Sequence, residues 1–277
     1  MAFETDPSTR FTMTSLIVIA LALVLITCNT VPLTGRSQLD LMDSAELASM
    51  GEQAYVDLLK EEPVITRGPA VSQVRRVGER IRDAAENGDF AWPERGTFNW
   101  EFKVVDNKEI ANAWALPGGK VAVYTGIIDI AQSDAGLATV MGHEIAHAIA
   151  RHGGERMSTQ AVTEFGRQGA AQVLSTESKL ALEIFEQAYN LGAAGFVLLP
   201  FSRKHESEAD RIGLLLMAAA GYDPREAVGF WQRMSAGSSG GQPLEFLSTH
   251  PSHETRISNL EMWMPEALEV FRGERTL

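Results

Sequence analysis

The twelve residues MGHEIAHAIARH, 141–152, hold three of the chain's six histidines and set the first constraint on how it can fold. Leu137, Met141, Ile145 and Ala148 recur at helical spacing, which predicts a helix over about 133–152 with a packed back. Residues four apart on such a helix lie only about 40° from each other around its axis. His143 and His147 therefore aim two imidazoles at one point, a spacing suited to Zn2+. Glu144 stands about 100° round from His143, close enough to reach water at such an ion without ligating it. It is the expected general base, taking the proton of a zinc-bound water that attacks a peptide carbonyl. A chain of this composition would produce the five-residue pattern by chance only about 0.01 times, so the pattern carries weight. Gly153 and Gly154 are expected to end the helix, and His152, one position past the metal face, to be structural.

Two imidazoles do not complete a catalytic zinc site, which needs three protein ligands and one open position. The third candidate lies in FSRKHESEADRIG, 201–213, where Glu206 and Asp210 are again four apart. On a second helix facing the first, Glu206 would ligate the ion. Asp210 would accept the N–H of a ligating imidazole, fixing its tautomer. The other reading of Glu206, Glu208 and Asp210 is a solvated acidic face; the His pair favours ligation.

A length of 277 residues gives ample material for a buried core. A net charge of −12 offers no basic stripe for phosphates, so no nucleic-acid partner is expected. The single cysteine, Cys28, excludes an internal disulfide. It follows SLIVIALALVLIT, 15–27, an apolar run short for a membrane span and suited to a secretory signal core. LITC resembles a bacterial lipobox, which makes Cys28 a candidate lipidation site; an uncleaved N-terminal anchor is the alternative. The expected organisation is a signal or anchor over 1–28, a linker over 29–38 and one catalytic domain over 39–277. Within that domain helices are predicted at 39–60, 69–85, 133–152, 156–200 with breaks, 203–220, 224–236 and 253–271. Strands are predicted at 99–106 and 118–126, with NAWALPGG forming a tight reversal between them. SAGSSGGQP, 235–243, reads as a flexible loop, and LGAAGFVLLPF, 191–201, as a core helix or pocket wall.

Five ordered blocks carry a resemblance: CNTVPLTGRSQL, NAWALPGGKVAVYTG, HEIAHAIARH, SRKHESEADRIG and LSTHPSHETRI. Together they resemble the gluzincin metalloproteases, and more narrowly the group of HtpX, the CAAX prenyl endopeptidases and the bacterial envelope proteases BepA and LoiP. The first block is similar to the lipoprotein members of that group. The resemblance implies an α+β, mainly α-helical, zincin-like domain with a small antiparallel sheet beside the HExxH helix. It implies one zinc ion on His143, His147 and Glu206, with Glu144 as base and Asp210 behind a ligand. It gives His250 a role on a mobile loop, either shutting the site or assisting catalysis, for instance by stabilising the oxyanion. Asn112 and Ala113 would line a strand edge, near Val121–Tyr124, to which an extended substrate adds. Arg256 is expected to pair with an acid near the site, and His205 and His253 to be neighbours of the site. The membrane helices of HtpX and the prenyl proteases, and the repeat domain of BepA, have no counterpart in these blocks, so their particular substrates and partners are not expected.

The expected function is a zinc endopeptidase of the cell envelope, acting on misfolded or membrane-associated polypeptides. A membrane anchor or lipid at the N-terminus would hold the catalytic domain outside the cytoplasm, on the periplasmic side. One alternative is a metal-binding chaperone or adaptor on a protease scaffold, against which Glu144 counts, because zinc binding alone does not need that carboxylate. Another is a latent protease shut by His250 or by the 156–200 region.

Overall fold

The computed structural model describes residues 28–90, 92–172, 202–237, 245–250 and 255–277. The apolar run 15–27, the segment 191–201, the loop beyond Gly237 and His253 lie outside those residues. Strands β1 (Cys28–Thr30) and β2 (Ser37–Leu39) pair as an antiparallel hairpin. The chain then enters α1 (Ser44–Leu59), whose first N–H groups at Ala45 and Glu46 donate to the Asp43 side chain. The helix predicted from Leu39 therefore begins five residues later, because Leu39 is spent on strand pairing. Strand β3 (Val64–Ile65) leads to α2 (Pro69–Asn87), which has Pro at its first position and buries Val71, Val74, Val77 and Ile81.

Strands β4 (Glu101–Val105), β5 (Ala113–Leu116) and β6 (Lys120–Tyr124) join β3 in a four-stranded sheet of order β3-β4-β6-β5. Two of its pairings are antiparallel, and β4 with β6 is parallel. The reversal expected at NAWALPGG contains a strand of its own: Ala113–Leu116 forms β5, and only Pro117–Gly119 turn. Gly118 and Gly119 have φ of 84° and 85°, which L side chains rarely adopt. The strand edge expected at Val121–Tyr124 is corrected accordingly. β6 is paired on both sides and all its residues are buried, while β5 is the edge.

After α3 (Thr125–Ala131), the helix α4 (Asp134–Ile149) runs through the middle of the core. Ser133 caps it, accepting from the Gly136 N–H. Its residues from Gly136 to Ile149 are all buried, so it is walled on every side. One wall is α2, a second is β5, and a third is α6 (Arg203–Ala219). Between α4 and α6 in the chain comes α5 (His152–Gln172). Among the described residues the remaining helices are α7 (Glu226–Gly237), the short α8 (Glu245–Thr249) and α9 (Arg256–Phe271). Among the described residues no helix is long and apolar enough to cross a membrane.

Candidate metal centre

Two glycines bring the functional helices together. A Cβ on Gly142 of α4 would stand 2.9 Å from the Gly213 carbonyl oxygen, and one on Gly213 of α6 only 2.7 Å from the His143 nitrogen. The backbones therefore touch where the helices cross, closer than any side chain would permit. Somewhat over one turn further along α4 and about two turns back along α6, His147 and Glu206 face each other across the gap.

His143, His147, Glu206 and His250 each direct one donor atom into a common space, all four atoms lying within 4.8 Å of one another. His143 Nε2 is 3.1 Å from His147 Nε2, and each is 3.4 Å from a Glu206 oxygen. His250 Nδ1 closes the group at 3.1 Å from Glu206 Oε1 and 3.3 Å from His143 Nε2. None of the four is more than 3% exposed, so the centre is shut off from solvent. Three imidazole nitrogens and one carboxylate oxygen, with no thiolate, form a donor set that zinc accepts. Burial works against the charge on Glu206, but the facing imidazoles overcome it and hold the carboxyl well below its usual range. A buried anion ringed by imidazoles suits a cation at the centre, and the residues fit zinc.

Each helix-borne imidazole is held from behind. His143 Nδ1 lies 2.9 Å from Asp210 Oδ1, and Asp210 is itself gripped by Arg256 Nε at 2.6 Å. Arg256 also donates to Glu206 Oε2 at 2.7 Å and lies 3.8 Å over the Trp231 ring. The acids expected for Arg256 are thus Asp210 and Glu206. Burial pulls the His143 pKa down, but hydrogen bonds to Asp210 and Glu206 outweigh it and raise the pKa to about 10. His147 moves the other way, well below its usual value, because burial dominates there.

The partner behind His147 is one that the sequence reading set aside. His152 Nδ1 lies 2.9 Å from His147 Nδ1, and His152 Nε2 lies 3.1 Å from Glu208 Oε2. In an unbroken helix, residues five apart would be about 140° apart and could not meet. The helix is broken between them. α4 ends at Ile149, Arg151 takes φ of 54°, and His152 starts α5 on a new axis. Gly153 and Gly154 do not end the helix; they sit in the first turn of the next. The left-handed residue is an arginine, anchored by Asp40, Glu94, Ser44 and the Met42 carbonyl oxygen. A positive φ on arginine has no sequence signal comparable to glycine, so the fold-back was not legible. His205 stacks on His152 with ring centroids 4.5 Å apart and bonds Glu155 at 3.0 Å. It is a neighbour of the centre and not part of the donor group.

Glu144 faces the sheet. Burial raises its pKa, with the neighbouring Ala115 backbone on β5 a small opposing influence, and its Oε1 accepts no hydrogen bond among the described residues. Its Oε1 lies 3.4 Å from His250 Nε2. Tyr124 N–H donates to the Asn112 carbonyl oxygen, so the antiparallel alternation assigns Asn112, Trp114 and Leu116 to bonded pairs with β6. Ala113 and Ala115 then direct their backbone groups outward from the edge. The Ala113 N–H is taken by Asn112 Oδ1, and the Ala115 backbone lies near Glu144. Ala113 therefore opens the edge strand and Asn112 directly precedes it. The α8 segment is tied to the same place, because Phe246 N–H donates to the Ala111 carbonyl oxygen and the Phe246 ring stacks on His250.

Fold and site together define a zincin-like domain, with candidate zinc donors on two crossing helices and on the segment after α8. The chain belongs to peptidase family M48, whose pattern matches residues 72–264 and so takes in all four donors, Glu144 and Asp210. Mitochondrial metalloendopeptidase OMA1 of Schizosaccharomyces pombe is 36% identical over 242 residues, 86% of this chain and 66% of that protein. Metalloendopeptidase OMA1 of Homo sapiens is 33% identical over 247 residues, 86% of this chain and 46% of that protein. The beta-barrel assembly-enhancing protease of Escherichia coli is 25% identical over 237 residues, 83% of this chain and 46% of that one. The chain thus spans from about half to two thirds of the length of these relatives. The two mitochondrial proteins are more similar to the chain than the bacterial one, so the expected placement in a bacterial lipoprotein-like branch is not supported by these relatives.

Proposed function

We propose that this chain is a zinc-dependent endopeptidase that takes extended polypeptide along the edge of β5 and cleaves it beside Glu144. The observation that carries this reading is the place of Glu144, beside the Ala115 backbone of β5 and 3.4 Å from His250 Nε2 at the donor group. It sets a buried carboxylate against the strand edge to which a peptide can add. Backbone pairing supplies affinity with little sequence preference, which suits unfolded or membrane-associated chains in cell-envelope quality control. Bound zinc, on His143, His147 and Glu206, would supply Lewis acidity toward a carbonyl and a water molecule. Glu144, its proton affinity raised by burial, takes the proton of the attacking water and delivers it to the leaving amine. Asp210 and Arg256 keep His143 and Glu206 in place while the proton moves.

His250 fills the side of the centre that a substrate carbonyl would need, and the whole group is buried. That favours a latent form in which His250 withdraws before substrate enters. The apolar run before Cys28 supports a membrane attachment at the N-terminus, by lipid on Cys28 or by an uncleaved anchor, with the domain outside the cytoplasm. Casein hydrolysis by the full chain, with and without chelator, tests the activity. Glu144→Gln should lose about 100-fold or more of the rate while retaining zinc, and wild-type cleavage by that variant refutes the mechanism. His250→Ala should cleave faster than wild type if His250 shuts the site; a slower variant assigns His250 to catalysis instead.

A further inference from the structure

The chain of contacts behind His147 runs on into the N-terminal hairpin. If His147 gives Nε2 to the ion, its Nδ1 must carry the proton and donate to His152 Nδ1. His152 Nδ1 then accepts, so its proton sits on Nε2 and is donated to Glu208 Oε2. Every bond in the row points one way, from the ion outward to a carboxylate, and neither imidazole needs a second proton. Glu208 is fixed in turn by the Thr34 hydroxyl and by Arg36 Nε at 2.7 Å, both between β1 and β2. The other face of the Arg36 guanidinium is clamped on Glu155 at 2.7 and 2.6 Å. His152 is fully buried, Glu208 is buried and Arg36 is partly so.

We propose that His152 is a positioning residue for the ligand His147, and that through Glu208 the Thr34–Arg36 turn of the N-terminal hairpin is a working part of the metal centre. Asp210 does the corresponding work for His143 from within α6, with Arg256 behind it. The two imidazoles are thus steadied from opposite sides, one by the catalytic core and one by the segment that immediately follows Cys28. A pull that lifts the hairpin off α5 and α6 would release Glu208, then His152, then the orientation of His147.

This inference rests on His147 being a zinc ligand, and the experiment separates the two. Zinc dissociation constants of the full chain are measured by competition with a chromophoric chelator, and thermal melting is recorded on the metal-free protein. His152→Phe removes the acceptor and should weaken zinc by about 10- to 100-fold. His152→Gln, whose amide oxygen can accept from His147 Nδ1, should recover most of that loss. Arg36→Gln, which touches no ligand, should weaken zinc in the same direction by a smaller factor. The metal-free melts of the His152 variants should stay close to wild type, while that of Arg36→Gln should fall by a few degrees through its lost bonds to Glu155 and Glu208, out of step with its smaller loss of affinity. Wild-type zinc affinity in His152→Phe and Arg36→Gln overturns the proposal, as does a metal-free melt that falls in step with affinity, which would make the role purely structural. If His152→Phe does not fold, His152→Gln and Arg36→Gln decide alone: wild-type affinity in Arg36→Gln then overturns it. His143→Ala serves as the reference, because retention of zinc by that variant would overturn the metal site itself.

Discussion

At the scale of single residues, the centre depends on charges that would be costly to bury apart. Arg256 is 1% exposed and bridges two carboxylates, Asp210 and Glu206. Removing one partner of such a group leaves the others unpaired in a low dielectric. Arg256→Met should therefore lower the unfolding free energy by about 3–5 kcal/mol, read by chemical denaturation; a loss below about 1 kcal/mol would contradict the bridge. Glu155 offers a pH test away from the ligands. Burial raises its pKa, but hydrogen bonds with His205 and Arg36 prevail and bring it down to about 2. A depressed carboxyl contributes stability above its unfolded pKa and loses it as pH falls through the folded one. Stability should thus drop between about pH 4.5 and pH 2, by about 1–2 kcal/mol from this group once solvent screening is allowed for. Glu155→Gln, compared in chelator, should flatten that part of the curve. What the sequence disclosed at this scale follows from periodicity. His143 with His147, and Glu206 with Asp210, are i, i+4 pairs whose geometry a helix dictates. His152 escaped because its contact is made across a break between two helices, where spacing carries no information.

At the scale of elements, the crossing of α4 and α6 does what no single ligand can: it fixes the separation of the His pair from Glu206. The pair Gly142 and Gly213 leaves no room for a Cβ, since one on Gly213 would press on the His143 nitrogen at 2.7 Å. Gly213→Ala should force the helices apart, destabilising the fold by about 1–3 kcal/mol and weakening zinc together. A contrast is Gly229 on α7, where the nearest atoms to an added Cβ are the tips of Arg233 and Glu226. Gly229→Ala should be neutral or stabilising through helix propensity, by up to about 1 kcal/mol. Equal melting temperatures for the two alanine variants would refute the close crossing. The helices were legible because long apolar stripes such as Val71–Ile81 repeat over several turns. The edge strand β5 was not, because Ala113–Leu116 is four residues long and lies against the turn glycines. Its identity as an edge depends on the parallel pairing of β4 with β6, a non-local choice.

At the scale of the whole molecule, the metal centre is a knot between segments far apart in the chain. α4, α6 and the α8 segment bring the four donors, while the hairpin at 28–39 and α9 stand behind them through Glu208 and Arg256. Without a shared ion, those segments meet as a cluster of buried imidazoles and carboxylates; an ion turns the cluster into one cross-link. A ligand that binds only the folded state stabilises it by RT ln(1 + [L]/Kd), about 4 kcal/mol when present at a thousand times its dissociation constant. For a domain of this size each kcal/mol moves the melting temperature by about 2–4 °C. Chelation should therefore lower the melting temperature by about 8–16 °C, and zinc in excess of the chelator should restore it. In His143→Ala the same treatment should move it little, because the ion is already lost. If chelator leaves the wild-type melt unchanged while zinc analysis shows the ion removed, the segments are held by their own packing and the centre does not tie the fold. If the shift is large in Arg36→Gln but smaller than in wild type, the N-terminal hairpin contributes to that tie, as its contact with Glu208 requires.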